Sequence, residues 1–166
     1  MFKSCCVIGL ICILAGCTSA KPVPHKPAKP IPINIKAEGA GRDVVMYALG
    51  LLDVAYQFGG SNPEAGLDCS GLVQLVYKNA LGVSLPRTAA DIAAAARPVS
   101  KAQLQAGDLV FFKTSERSFS HVGIYLGGEQ FIHAPSSRGK VRVESMNNSY
   151  FAPRFEGGRS LILAKD

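Results

Sequence analysis

Cysteine is almost absent from most of this sequence. The 166 residues contain five cysteines, and four of them, Cys5, Cys6, Cys12 and Cys17, lie within the first seventeen positions. Only Cys69 lies beyond them, so no disulfide can form within that larger part of the chain. A disulfide-stabilised scaffold is therefore excluded.

A large excess of positive or negative charge is also missing from the main part of the chain. The sequence has 18 Lys and Arg against 12 Asp and Glu, a net charge of +6. Lys3 and four lysines at positions 21–36 account for five of the six surplus charges, which leaves residues 37–166 with 13 basic and 12 acidic residues. A nucleic-acid-binding domain carries its basic surplus on its own surface, so we expect no nucleic-acid partner.

The sequence shows no internal repeat and no second domain. Its length suits one domain, and a hydrophobic fraction of 48% supplies enough apolar side chains for a core. We therefore expect one folded domain and a monomer.

No apolar run is long enough to span a bilayer. The longest near the N-terminus, residues 5–15, is too short for a hydrocarbon core of about 30 Å. It follows Lys3 and ends in Leu14-Ala15-Gly16-Cys17, which predicts a signal peptide over residues 1–16. The tetrapeptide resembles the lipobox of bacterial lipoproteins, which implies that Cys17 becomes a diacylated, palmitate-bearing N-terminus. The alternative is an ordinary secretory signal in which Cys17 is incidental.

Residues 17–41 are predicted to form a tether that begins at the lipidated cysteine. They contain five prolines and four lysines and have no helical or strand periodicity, as in an extended spacer of about 3.1 Å per residue. The lysines suit either a solvated linker or attraction to anionic lipid.

Thr18 follows the predicted lipidated cysteine, at the position where an inner-membrane retention signal usually has Asp. We expect a protein of the cell envelope, lipid-anchored and facing the periplasm, at the outer rather than the inner membrane.

Residues 42–166 have the pattern of an α+β domain. Apolar spacing predicts helices over 42–57, from Cys69 to near Gly82, and from a capping box at Thr88 to Arg97-Pro98. Short β-branched or aromatic segments then predict strands over 109–113, 121–126, 130–134, 141–144 and 160–164. Helices followed by strands indicate N-terminal helices packed on an antiparallel sheet.

Cys69 follows a loop and opens the second predicted helix. Unpaired N–H groups and the helix dipole favour a thiolate there. Asp68 and Ser70 are suited to cap the same helix. Without this context, a lone cysteine is more often a small buried apolar residue.

Two histidines, His121 and His133, fall on neighbouring predicted strands joined by a tight turn at Gly127-Gly128. We expect them to face the Cys69 helix, with His121 as the base for the thiol and His133 orienting that base. They could instead be structural, or the three residues could bind zinc with one open position. No second cysteine or His-x₃-His pair supports zinc, and we predict neither a metal nor a cofactor.

Six motifs occur in the order typical of the NlpC family of bacterial cell-wall cysteine peptidases. They are Tyr56-Gln57-Phe58-Gly59-Gly60, Leu67-Asp68-Cys69-Ser70-Gly71-Leu72-Val73, Leu85-Pro86-Arg87-Thr88, Gly107-Asp108-Leu109-Val110-Phe111-Phe112, His121-Val122-Gly123-Ile124-Tyr125 and Phe131-Ile132-His133-Ala134. The resemblance covers residues 42–166.

This resemblance implies a minimal papain-like α+β fold and hydrolysis of peptide bonds in peptidoglycan stem peptides or crosslinks, at D-glutamyl–diaminopimelate or other diaminopimelate-containing bonds. It makes Cys69 the nucleophile, His121 the base and His133 the orienting residue, with no cofactor. The candidates for oxyanion or substrate binding are Tyr56, Asp68, Ser70 and Arg87. Arg87 would either cap a helix or contact a substrate carboxylate. Two alternatives remain: an inactive peptidoglycan-binding or scaffolding lipoprotein, and acyl transfer or amidase chemistry on another amide.

Overall fold

The structure is a computed structural model that describes residues 38–136 and 139–162. The predicted signal peptide, the lipidation site Cys17 and most of the predicted tether lie outside the described residues. Within the described part, no helix combines the length and the apolar character needed to cross a membrane.

Three α-helices precede most of the strands. They are α1 (Gly39–Leu49), α2 (Cys69–Leu81) and α3 (Ala89–Ala95). The strands are β1 (Ser61–Asn62), β2 (Gly66–Leu67), β3 (Arg97–Val99), β4 (Leu109–Phe112), β5 (His121–Gly127), β6 (Gln130–His133), β7 (Arg142–Ser145) and β8 (Phe155–Ser160). Short 3₁₀ turns occupy Lys101–Gln103 and Ala152–Arg154.

Strands β3 to β8 form one antiparallel sheet in the order β3-β8-β4-β5-β6-β7, and β1 and β2 form a separate hairpin. Helices α1 and α2 pack on each other and on the central strand β5. This arrangement confirms the predicted α+β class with helices packed on an antiparallel sheet.

The two faces of the sheet bury different side chains because successive residues of a strand point to opposite faces. In β5, Val122, Ile124 and Leu126 join the core shared with the helices. The other face carries a second, aromatic-rich cluster, which we call the aromatic cluster. Its buried members are Val110, Phe112, Tyr125, Phe131, Met146 and Phe151.

The helix predicted over residues 42–57 is shorter in the structure. Helix α1 ends at Leu49, and Gly50 follows as its C-cap. The chain beyond it forms sheet-like contacts: the Leu67 N–H donates to Ala55, and Tyr56 forms a bridge with Leu67. Backbone partners distant in the sequence therefore override the helical spacing of the apolar residues.

The strand predicted over residues 160–164 lies earlier in the chain, so its predicted position is wrong. Strand β8 spans Phe155–Ser160 and lies between β3 and β4, although its sequence is polar and rich in glycine. Gly158 allows this close packing, since a Cβ there would lie 2.7 Å from Leu104 and 3.0 Å from Val99. The residues 97–99 form strand β3, where the sequence predicted only the end of a helix.

Both ends of α2 and the start of α3 agree with the sequence. Asp68 caps α2 by accepting from the Gly71 N–H, and Gly82 ends the helix with a left-handed φ of 70°. Thr88 accepts from the Asp91 N–H and caps α3, as the capping pattern predicted. The predicted strands around His121 and His133 are confirmed within one residue.

Tyr77 ties α2 to the loop that precedes β4. Its side chain is fully buried, and its hydroxyl donates to the Gly107 carbonyl at 2.5 Å. We predict that Tyr77→Phe lowers the free energy of unfolding by about 1–3 kcal/mol, because the buried carbonyl loses its side-chain donor. Urea denaturation measures this change. Tyr47→Phe, on the exposed side of α1, is the matched control and should change stability by less than about 0.5 kcal/mol; equal effects would contradict the prediction.

Candidate active site

The carboxylate of Asp68 organises the first turn of α2. One oxygen, Oδ1, accepts from the Gly71 N–H at 2.7 Å and from the Ser70 hydroxyl at 3.1 Å. The other, Oδ2, accepts from the Gly59 N–H at 3.1 Å, which joins the helix to the preceding loop. Asp68 thus acts as the predicted helix cap, whereas Ser70 lies within the first turn and only donates its hydroxyl to Asp68, so the cap role predicted for Ser70 is wrong.

Arg87 completes this network through a two-point contact with the same carboxylate. Its Nη2 donates to Asp68 Oδ2 at 2.5 Å, and its Nη1 donates to Oδ1 at 3.1 Å and to the Ser70 hydroxyl at 2.7 Å. Burial opposes ionisation of Asp68, but the hydrogen bonds from Arg87 and Gly71 outweigh it and lower the pKa of the carboxyl. Of the two expected roles for Arg87, the structure therefore supports fixing a helix start.

Glycine at position 71 lets the loop and the helix meet. A Cβ on Gly71 would lie 2.0 Å from the Gly60 carbonyl oxygen, and that same oxygen accepts from the Asp68 N–H at 3.0 Å. Any larger residue would push α2 away from the loop, which accounts for the glycine in the Asp68-Cys69-Ser70-Gly71 motif.

Cys69 is the first residue of α2 and lies beside the start of β5. The backbone of Val122, the residue after His121, hydrogen-bonds the Cys69 sulfur. Burial nevertheless raises the pKa of the thiol, and the nearby Asp68 charge raises it further. The expectation that the helix start favours a thiolate is therefore wrong for this state, because desolvation outweighs the backbone donors.

His121 and His133 are brought together as predicted. Nε2 of His121 lies 2.8 Å from Nδ1 of His133, and their rings are perpendicular. They do not face the helices, however, because alternation along β5 and β6 places both rings against the aromatic cluster. Among the described residues, the structure shows no hydrogen bond from the Cys69 thiol to either imidazole; the thiol is instead next to the backbone of Val122, the residue after His121.

The two imidazoles are almost removed from solvent. His121 is 5% exposed and His133 is fully buried, with Phe131 and Phe151 against the His133 ring. Burial lowers the pKa of His121 to about 4, and burial together with His121 and Arg142 lowers that of His133. Both rings are therefore neutral at pH 7, and one donates its N–H to the other.

Gly123 leaves the space that the Phe131 ring occupies beside the histidine pair. A Cβ at this position would lie 2.6 Å from the Phe131 ring and 3.3 Å from the His133 Cβ. Sequence reasoning assigned no role to Gly123 or to the aromatic cluster. The position of Gly123, two residues after His121 in a predicted strand, was a signal that could have identified it. The aromatic cluster has no local signal, because its members come from distant segments of the chain.

Tyr56 lies near Cys69, although it is not at a helix end. Its bridge with Leu67 places it beside Asp68 and the start of α2. Burial, followed by the nearby Cys69 and Asp68 groups, raises the pKa of its hydroxyl. Tyr56 therefore keeps its proton at neutral pH and can donate a hydrogen bond.

The described residues contain no group of three or more His, Cys, Asp and Glu side chains arranged to hold a metal ion. His121 and His133 direct a pair of nitrogens at each other, so those two atoms cannot bind one metal together.

The protonation states of Cys69 and His121 determine how the reactivity of the thiol should depend on pH. Because the pKa of Cys69 is raised and that of His121 is lowered, the resting pair is a neutral thiol and a neutral imidazole. We expect the rate of iodoacetamide alkylation at Cys69 to rise about tenfold per pH unit from pH 6 to pH 9. Mass spectrometry of the Cys69 peptide separates it from the other cysteines. A constant, rapid rate from pH 5 to pH 8 would instead indicate a thiolate–imidazolium pair.

Comparison with known proteins gives the family. The sequence profile of the NlpC/P60 family matches residues 53–160. The chain is 37% identical over 113 residues to murein DD-endopeptidase MepH of Escherichia coli K12, covering 66% of this chain and 42% of that protein. It is 41% identical over 129 residues to the gamma-DL-glutamyl hydrolase of Bacillus subtilis 168, covering 76% of this chain and 31% of that protein.

A solved structure gives the same result. The structure of an NLP/P60 family protein described as similar to lipoprotein, from Staphylococcus aureus Mu50, matches with a TM-score of 0.68 and 34% identity. The match covers 82% of this chain and 46% of that one. The chain thus spans less than half the length of these three proteins. The profile match across most of the folded region shows that the chain belongs to the NlpC/P60 family.

Proposed function

We propose that this chain is a cysteine peptidase that hydrolyses peptide bonds in peptidoglycan. The observation that carries the proposal is the buried 2.8 Å contact between His121 Nε2 and His133 Nδ1. His121 is the first residue of β5, and the backbone of the next residue, Val122, hydrogen-bonds the Cys69 sulfur. A thiol, a base and a group that orients the base are the components of nucleophilic acyl transfer.

The first chemical step is attack by Cys69 on the substrate carbonyl. His121 takes the thiol proton as the carbon–sulfur bond forms, since both groups are neutral at rest. With Nε2 of His121 bonded to His133, the remaining nitrogen Nδ1 is the one that accepts this proton. The same nitrogen then gives the proton to the departing amine as the carbon–nitrogen bond breaks. In the second step the neutral His121 takes a proton from water, whose oxygen attacks the thioester; the carbon–sulfur bond breaks, the acyl group leaves as an acid, and His121 returns the proton to the Cys69 sulfur.

The negative oxygen of the tetrahedral intermediate needs donors beside Cys69. The backbone N–H of Cys69, at the start of α2, is one candidate, and the neutral Tyr56 hydroxyl is the other. An oxyanion donor of this kind contributes about 3–4 kcal/mol to transition-state stabilisation. Asp68, Ser70 and Arg87 act with them by holding the first turn of α2 in place.

His133 is a positioning residue in this mechanism. Once His121 is protonated, its Nε2–H must donate, so Nδ1 of His133 must accept and the His133 proton must reside on Nε2. His133 therefore sets the orientation of His121 and stabilises the imidazolium without taking its proton.

The relatives support the class of substrate. One is named a murein DD-endopeptidase and another a gamma-DL-glutamyl hydrolase, so both names describe hydrolysis of peptide-type bonds. We propose a stem peptide or crosslink of peptidoglycan as the substrate. We also retain the proposal of a lipid-anchored protein of the cell envelope, which depends on Cys17 and the sequence before residue 38.

The nucleophile assignment is tested by Cys69→Ala. We expect muropeptide hydrolysis to fall at least about a thousandfold, because the variant lacks the thiol that forms the acyl-enzyme. Hydrolysis is measured by mass spectrometry of products from defined muropeptides, with thermal unfolding to verify folding. Cys17→Ala is the matched control and should retain activity. Undiminished activity in Cys69→Ala would refute the assignment, and an inactive wild-type protein that still binds muropeptides would favour the binding-module alternative.

The orienting role is tested by three substitutions at His133. The Asn side chain can place an oxygen near the position of Nδ1, whereas the longer Gln side chain cannot do so without moving. We expect His133→Ala to lower kcat by about 100-fold or more, His133→Gln to do nearly the same, and His133→Asn to retain more activity than either. Equal losses in all three, with folding intact, would show that His133 does not act by accepting from His121.

A further inference from the structure

A cavity of about 330 Å³ lies beside the histidine pair and is not used by the mechanism above. Its buried residues are His121, His133, Pro135 and Phe151, and its exposed residues include Arg142 and Tyr150. Cys69 is not among the residues that line it. The cavity therefore adjoins the base rather than the nucleophile, and its size is at the lower end of the range of small-ligand pockets, roughly 300–1,000 Å³.

One buried polar atom in the cavity wall lacks a partner. His133 is fully buried, and its Nε2 has no hydrogen bond within the described part of the chain. Because Nδ1 faces His121 and must accept in the protonated state, Nε2 carries the hydrogen. An unsatisfied buried N–H favours a ligand or water that supplies an acceptor.

A positive charge lies next to this donor. Arg142 is directly opposite His133 in the register between β6 and β7, and its charge contributes to the lowered pKa of His133. Its Nε donates to Glu144 Oε1 at 2.7 Å, while Glu144 Oε2 accepts from the Asn148 side chain at 3.2 Å. Glu144 also lines the cavity, but both of its oxygens are engaged by these bonds. The guanidinium of Arg142 is then the positive charge that a carboxylate in the cavity would meet.

The position of the cavity indicates which part of the substrate it faces. During acyl transfer the acyl fragment stays on Cys69, whereas the amine leaves beside the base that protonates it. A cavity lined by His121 and not by Cys69 therefore adjoins the departing fragment. Peptide fragments released in this way carry their own carboxylates, at the C-terminus or on a side chain.

We propose that this cavity binds a carboxylate of the departing fragment through the His133 Nε2–H and the Arg142 guanidinium. The proposal rests on the proposed function, because that function supplies the departing fragment. It gives His133 two tasks: its Nδ1 orients His121, and its Nε2 contacts the substrate. It also explains why a fully buried histidine leaves one nitrogen unsatisfied until a substrate binds.

Binding of a small probe tests the proposal without requiring bond cleavage. The probes are meso-diaminopimelate and its diamide, which differ in their carboxylates, titrated into the protein while the ¹⁵N signals of the His133 ring are recorded. We expect the acid to bind at least about tenfold more tightly than the diamide and to shift the Nε2 signal, because charge-assisted hydrogen bonds are lost with the amide.

Two arginine variants supply the comparison. Arg142→Gln should reduce the preference for the acid to near one. Arg97→Gln removes the same charge from β3, the opposite edge of the sheet, and should preserve the preference. Circular dichroism verifies that both variants fold. Equal affinity of the wild-type protein for the two probes, or an unchanged preference in Arg142→Gln, would overturn the proposal.

Muropeptide hydrolysis by the same preparation separates the two proposals. Hydrolysis without a carboxylate preference overturns only the role of the cavity. Carboxylate binding at His133 without hydrolysis overturns the proposed peptidase and, with it, the assignment of that carboxylate to a departing fragment, and leaves only a carboxylate-binding cavity.

Discussion

The carboxylate of Asp68 receives five hydrogen bonds, and the position of Cys69 depends on them. Two come from the backbone N–H groups of Gly59 and Gly71, and three come from the side chains of Ser70 and Arg87. They join the loop before α2, the first turn of α2 and the segment before α3 at one point. A cysteine at a helix start could be turned in several directions, but this network leaves one, beside the start of β5.

The histidine pair is held by a different kind of force. Phe151 packs against both rings and Phe131 packs against His133, and Gly123 leaves the room that the Phe131 ring needs. Burial lowers the pKa of both imidazoles and raises that of the Cys69 thiol, so all three groups are neutral at pH 7. The polar network on the helix side and the aromatic cluster on the other side of the sheet therefore position the two halves of the site independently, and the halves meet where β5 begins.

Several features of this arrangement were predictable because they depend on neighbours in the sequence. The caps Asp68 and Thr88, the end of α2 at Gly82 and the turn after β5 follow from local backbone chemistry, and the structure confirms them. The length of α1 and the place of β8 were not predictable in the same way. The segment after α1 pairs with backbone groups far along the chain instead of continuing the helix. Strand β8 has a polar sequence but pairs with β3 and β4 on its two sides.

The sequence by itself determined the family, because six motifs occur in the order typical of it and its profile matches residues 53–160, and it predicted which residue types would react. Only the tertiary structure decided which nitrogens meet, that Arg87 is bound to Asp68, and that the histidine rings lie on the face away from the helices. It also decided the protonation states: the helix start alone favours a thiolate, but burial raises the pKa of Cys69. Desolvation depends on all the surrounding chain, and no short stretch of sequence contains that information.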